Sequence, residues 1–128
     1  MTRFQSRIAV FAFAIWALPQ TAEAHHSLAA FDQTKQIVVE GTVKEFAFAN
    51  PHSHMVIEER QADGKTKEWE METGGPAVLF RYNIKADTFK AGEHVTVTAH
   101  PLRNGEPVGG LIRVIKADGT TFLLEMAK

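Results

Sequence analysis

The sequence contains no cysteine among its 128 residues. Disulfides, thiolate metal sites and thiol redox chemistry are therefore excluded, and a domain this small must depend on its hydrophobic core. Beyond the first two dozen residues, no apolar run approaches membrane-spanning length. Basic residues are not in excess either, because the formal net charge is −1. This balance gives no electrostatic case for a nucleic-acid or anionic-membrane partner.

The first 24 residues have the order of a secretory signal peptide. Arg3 and Arg7 precede an apolar run at residues 8–18, and Ala-Glu-Ala at residues 22–24 supplies the small residues of a cleavage site. The run is short for a membrane span, so we expect cleavage after Ala24 and a periplasmic or secreted protein. A retained membrane anchor is the alternative. Cleavage of the 128-residue chain would leave 104 residues, 12 of them basic and 14 acidic.

The remaining chain divides into an arm at residues 25–35 and a β domain at residues 36–128. The arm has neither helical nor strand periodicity, and we expect Leu28 and Phe31 to anchor it. In the first strand, a bulge near Lys44 and Glu45 would return later apolar residues to the inner face.

The order of elements predicts an OB-fold-like, mainly β barrel of five to six antiparallel strands, with one short helix between strands three and four. A plain antiparallel meander or small sandwich is the alternative. Asp63-Gly64 predicts a hairpin turn, and Asn83 a left-handed helix stop. We interpret Gly74-Gly75 and Gly109-Gly110 as turn glycines. The predicted strands are residues 36–49, 54–61, 65–73, 94–100, 111–116 and 120–126, and the helix follows Pro76.

Six histidines without any cysteine are the one unusual feature of the composition. After cleavage, His25 would carry both a free α-amine and a ring Nδ1, which together can chelate Cu(II) if a further imidazole completes the site. His26 is an auxiliary candidate. The alternative is that two polar residues simply follow a cleavage site and stay mobile.

His52 and His54 follow the Asn50-Pro51 turn and lie two residues apart, so both rings share one side of an extended chain. This spacing suits zinc or copper, although two polar residues at the start of a strand give the same pattern. His94 and His100 lie at opposite ends of one strand, too far apart to share a metal.

The remaining polar residues do not indicate catalysis. Glu68, Glu70 and Glu72 alternate on one strand and are interpreted as a solvated face, which would favour cations only if it lined a groove. Neither a paired acid and base nor a serine nucleophile nor a phosphate-binding loop can be named. Whether the protein is an enzyme stays open, with a binding module favoured.

An ordered set of short motifs spans the mature chain and resembles a family of short exported bacterial proteins, a domain of unknown function. The resemblance implies a periplasmic β-barrel and names no activity; it matches His25, His26 and His52 without giving them a role. The family tends to have Arg-x-Gly-Trp where this chain has Arg-Tyr-Asn-Ile at residues 81–84. The motifs are His-His-Ser at 25–27, Phe-Asp at 31–32, Gly-Thr-Val at 41–43, Asn-Pro-His at 50–52, Trp-Glu-Met-Glu at 69–72, Leu-Phe-Arg at 79–81, Gly-Glu-His-Val-Thr-Val at 92–97 and Pro-Leu-Arg-Asn-Gly at 101–105.

The first functional hypothesis is a periplasmic module that binds copper or another divalent metal through His25 and His52, with His26 or His54 as auxiliary ligand. The second is a non-catalytic OB-like module that binds a small molecule, an envelope polymer or a partner protein. In the second hypothesis the histidines are incidental, and the exposed face of strands two and three makes the contacts.

Overall fold

Residues 27–124 are the part of the chain that the computed structural model describes. The predicted signal peptide and cleavage site, together with His25 and His26, lie outside the described residues. Within residues 27–124, no helix has the length and hydropathy needed to cross a membrane. The strands are β1 (Ile37–Ala47), β2 (His52–Arg60), β3 (Thr66–Gly74), β4 (His94–Pro101), β5 (Val108–Lys116) and β6 (Thr121–Leu123); helix α1 is Pro76–Leu79, and 3-10 turns lie at Leu28–Ala30 and Phe80–Tyr82.

Five of the strands form a closed barrel, and β6 extends the sheet beyond it. The strand order is β3-β2-β1-β4-β5-β6, and an additional pairing between β3 and β5 closes the ring. This arrangement, with α1 between β3 and β4, confirms the predicted OB-like barrel. The closing pair, β3 with β5, is parallel and not antiparallel as predicted. It joins Glu70, Met71 and Glu72 to residues 108–110.

Strand β1 pairs with two neighbours by bending around the barrel. Its N-terminal half pairs with β4, from Ile37 to Thr42, and its C-terminal half pairs with β2, from Thr42 to Ala47. The register shifts between Val43 and Glu45, so the predicted bulge is confirmed and leaves Lys44 as the extra residue. At Gly41, a Cβ atom would lie 2.4 Å from the carbonyl oxygen of Glu58, so only glycine fits there.

Gly109 and Gly110 lie inside β5, so their interpretation as turn glycines is wrong. A Cβ atom on Gly109 would approach the Cβ of Ala99 to 2.7 Å and the sulfur of Met71 to 3.0 Å. The missing side chain therefore lets β5 lie close to β3 and β4 where the barrel closes. The predicted Asp63-Gly64 turn is confirmed, since Gly64 has φ 82° between β2 and β3.

We call the end of the barrel where β2 and β4 begin the helix end, because α1 covers it. Phenylalanine rings fill this end: Phe89 contacts Phe46 and Phe122 edge-on, each with ring centroids 5.2 Å apart. Leu79 of α1 is also buried in the core, and Asn83 stops the following turn at φ 58°, as predicted. The core between the two ends comprises Val39, Val43, Met55, Ile57, Met71, Ile84, Val95, Val97, Ala99, Leu111, Val114 and Leu124.

We call the opposite end, where β2 and β4 finish, the arm end. Phe31 is buried there and forms an isolated bridge with Leu102, just after β4. The Asp32 N–H donates to the Pro101 carbonyl at 2.8 Å, and the Arg103 N–H donates to the Ala30 carbonyl at 3.0 Å. Phe31 therefore anchors the arm as predicted, whereas Leu28 is 50% exposed.

Candidate functional site

The outer surface of the β2–β3 hairpin carries most of the polar residues that the sequence singles out. Because side chains alternate along a strand, residues paired across the hairpin point to the same side. We call this surface the β2–β3 face. It consists of His52, His54, Val56, Glu58 and Arg60 on β2 and of Thr66, Glu68, Glu70 and Glu72 on β3.

Two glutamates of the face stand directly opposite each other, Glu58 on β2 and Glu68 on β3. Like charges in this position repel. Lys44 bonds to the Glu68 carboxylate and lies 3.8 Å from Glu58 Oε1. The Glu68 carboxylate accordingly raises the pKa of Lys44. The β1 bulge residue thus compensates part of the negative charge, and Glu70 and Glu72 extend the acidic surface beyond it.

His52 and His54 lie on the same side of β2, as the sequence predicts. His54 is half-buried and directly opposite Glu72, whereas His52 is exposed and opposite Gly74. Within residues 27–124, no group of three or more histidine, aspartate or glutamate side chains is arranged to hold a metal ion. A metal at His52 and His54 would therefore need a ligand from elsewhere.

The strand directions and pairings relate the docked arm to these two histidines. Strands β2 and β4 are both antiparallel to β1, so they run in the same direction. His52 begins β2 at the helix end, whereas the arm docks beyond the last residue of β4, at the arm end. The closing strands connect the two places, because His54 pairs with Glu72, Glu72 with Gly110, and Gly110 with His100 near the end of β4.

The other two described histidines, His94 and His100, each lie against an oxygen atom of β1 or the arm. His94 Nε2 lies 3.0 Å from Glu40 Oε1, and His100 Nδ1 lies 2.7 Å from the Lys35 carbonyl oxygen, to which it is placed to donate. His100 therefore ties the arm to β4. The two rings stand at opposite ends of β4, as predicted.

An apolar surface adjoins the β2–β3 face at the helix end. Phe80 is 59% exposed and contacts the half-buried Phe48 edge-on, with ring centroids 5.5 Å apart. Val78 is 41% exposed beside Gly74, which pairs with His52. We call Phe48, Val78 and Phe80 the apolar rim. The helix predicted after Pro76 gave no indication that Phe80 is exposed.

The turn between β1 and β2 lies against the start of α1. The Asn50-Pro51 peptide bond is cis. A Cβ atom on Gly75 would lie 2.7 Å from the Pro51 carbonyl oxygen and 2.8 Å from Asn50 Oδ1. Ser53 Oγ also accepts a hydrogen bond from the Ala49 N–H at 3.2 Å. The turn that leads into His52 therefore lies directly against the start of α1.

Comparison with known proteins identifies a family and no characterised relative. A family model described as a family of unknown function (DUF6152) matches residues 14–112. No curated protein matches the chain. No solved structure matches it either.

Proposed function

The chain belongs to this family of unknown function, and we propose that it is an OB-like binding module for a cationic partner segment. In OB-folds the face of strands two and three, with the flanking loops, is the usual place for ligands. Here that face combines acidic strands with the apolar rim, and the exposed Phe80 is the observation on which the proposal depends most. A phenyl ring that is 59% exposed beside a polar strand face is typical of a contact surface.

The charge of the face selects the kind of partner. Four glutamates lie on it, against the cations of Lys44 and Arg60. An oligonucleotide would be repelled, whereas a segment with lysine or arginine next to an aromatic or aliphatic residue matches both parts of the surface. We therefore favour a partner protein over an envelope polymer or a small molecule.

The test uses the exported protein and a synthetic basic peptide that contains one aromatic residue. Chemical shift changes should map to β2, β3 and the apolar rim, and Phe80→Ser should weaken binding about tenfold because it removes an aromatic anchor. Glu70→Gln should weaken binding and reduce its salt dependence. Glu106→Gln, on the exposed loop before β5, is the matched control. If Phe80→Ser and Glu70→Gln bind like the control, the proposal is wrong. A neutral oligosaccharide that binds more tightly than the peptide would favour the polymer instead.

Metal binding is the second candidate, supported by the placement of His52 and His54 on one side of β2 with Glu72 opposite His54. His25 with its α-amine, or His26, would supply the missing ligand. Copper is the metal that this nitrogen donor set favours, and zinc is the alternative.

The metal proposal is tested on protein whose first residue has been verified as His25 by mass. Titration with Cu(II) should show one site, and one extra residue before His25 should weaken binding strongly because it removes the chelating amine. His52→Ala should also weaken it, and His94→Ala serves as control. Equal affinity in all of these proteins would remove the proposal.

A further inference from the structure

A second group of polar residues lies at the arm end, on the inner side of the β2–β3 hairpin. Glu59 and Lys67 are directly opposite each other, and Trp69 is diagonal to Glu59. These side chains point inward, away from the β2–β3 face. The group is therefore independent of the surface used by the proposed function.

The Glu59 carboxylate is held by two donors. Trp69 Nε1 donates to Glu59 Oε2 at 2.8 Å, and Gln61 Nε2 donates to the same oxygen at 2.8 Å. Both bonds fix the carboxylate beside the edge of the indole ring, and both Glu59 and Trp69 are half-buried. A negative charge is thus kept in one position where the barrel meets solvent.

The face of the same indole ring is covered by an ammonium group. Lys67 Nζ lies 4.1 Å from the centroid of the Trp69 ring, a cation–π distance. Lys67 itself is exposed, and its flexible side chain and strongly hydrated ammonium group make it an occupant that exchanges easily with water. The position over the ring is therefore suited to a cation and open to solvent.

We propose that Trp69 and Glu59 form a binding site for a quaternary ammonium group, with Lys67 as the resident occupant from the same chain. An indole face with a fixed carboxylate beside it provides the attraction that such cations require. A methylated ammonium group is less hydrated than that of lysine, so it loses less on leaving water and displaces Lys67. The source is either a soluble choline or betaine compound or a phosphocholine headgroup.

The test uses the fluorescence of Trp69. The chain has one other tryptophan, Trp16, which lies before residue 25. If the measured mass of the protein shows that Trp16 is retained, it is changed to Phe. The probe is tetramethylammonium chloride, with sodium chloride at the same ionic strength as control. We expect a saturable change in Trp69 emission, and Lys67→Ala should tighten binding about tenfold because it vacates the ring.

Matched variants separate this site from an effect of charge or folding. Lys65→Ala removes a lysine from the same hairpin and should bind like the unaltered protein. Glu59→Gln in the Lys67→Ala background should lose most of the gain, while its Trp69 indole N–H resonance shows that the ring is still in place. Absence of saturable binding to Lys67→Ala, or an equal change with Lys65→Ala, would overturn the proposal. Competition by free choline would identify a soluble ligand, and competition by phosphatidylcholine vesicles alone a headgroup.

Discussion

The two ends of the barrel are closed by different kinds of interaction. At the helix end, Phe46, Phe89 and Phe122 pack edge-on above the core. At the arm end, Glu59, Gln61 and Trp69 form a hydrogen-bonded group. Apolar packing gives stability without specificity, whereas oriented polar groups contribute less to stability and can recognise a ligand. We therefore expect substitutions in the ring cluster of Phe46, Phe89 and Phe122 to act on folding, and those in the polar group of the arm end to act mainly on binding.

The largest effect on folding is expected from Phe89→Ala at the helix end. Phe89 is 3% exposed and contacts rings on both sides, so its loss should lower the free energy of unfolding by about 3–5 kcal/mol. Urea denaturation followed by circular dichroism measures the change. Phe80→Ala, in the exposed apolar rim, should cost less than about 1 kcal/mol. Equal costs for the two variants would contradict the assignment of Phe89 to the core.

A smaller effect is expected where the strands close the barrel near the arm end. Gly109→Ala would place a methyl group 2.7 Å from the Cβ of Ala99, and relief of this overlap should cost about 1–3 kcal/mol. Thermal unfolding measures the loss. Gly105→Ala is the control without steric overlap, because nothing lies within 4 Å of the added methyl group. Any loss in that variant comes from backbone strain at its φ of 82°. A more stable Gly109→Ala protein would show that β3 and β5 have room to separate.

A still smaller effect on stability is expected from Trp69→Phe in the polar group. The variant loses the hydrogen bond to Glu59, while Gln61 continues to donate to the same carboxylate, so the cost should be about 1 kcal/mol. Urea denaturation at neutral pH measures it. Trp69→Ala should cost much more, because it also removes the ring. If Trp69→Phe lowers the free energy of unfolding by more than about 3 kcal/mol, the polar group determines stability as strongly as the rings at the helix end do, contrary to this expectation.

The smallest effect is a pH dependence of arm docking. Hydrogen bonds from the Thr34 hydroxyl and backbone N–H lower the pKa of Asp32, with further help from Lys35. A carboxyl whose folded pKa is lowered stabilises the folded state above its ordinary pKa of 3.8, and this contribution disappears as pH falls through the folded pKa. The turn at residues 32–35 should therefore loosen in acid, and the NMR shifts of the adjacent Phe31 would measure this change.

Asp32→Asn should remove this step from the acid titration of the Phe31 signals. Asp87→Asn, on the exposed loop before β4, should keep the profile of the unaltered protein. If both variants retain the step, another group controls docking.

Signals that span only a few residues predicted much of the fold. The bulge at Lys44, the turn at Gly64 and the stop at Asn83 each depend on adjacent residues, so the sequence contains the whole cause. The interpretation of Gly109 and Gly110 as turn glycines was wrong, and for Gly109 the reason for the missing side chain is on β3 and β4, many residues away.

The candidate surfaces also combine features that local sequence patterns predict with features that depend on distant parts of the chain. Alternation placed His52 and His54 on one side of β2, and the register of the hairpin supplied Glu72 as the residue opposite His54. The inward position of Glu59 was also available from alternation, since it has the parity of Met55 and Ile57, and a glutamate at such a position calls for a partner. The exposure of Phe80 depends on how α1 lies against the barrel, which no local pattern specifies.

Strand β1 is shared by two pairs of strands, because one half of its length is hydrogen-bonded to β4 and the other half to β2. Separation of either β2 or β4 breaks hydrogen bonds to β1. We therefore expect amide protons on β2 and β4 to exchange with solvent at similar rates. The ring also stays open during synthesis until residues 108–110 emerge to join β3. Folding of the barrel is thus deferred until most of the polypeptide is available.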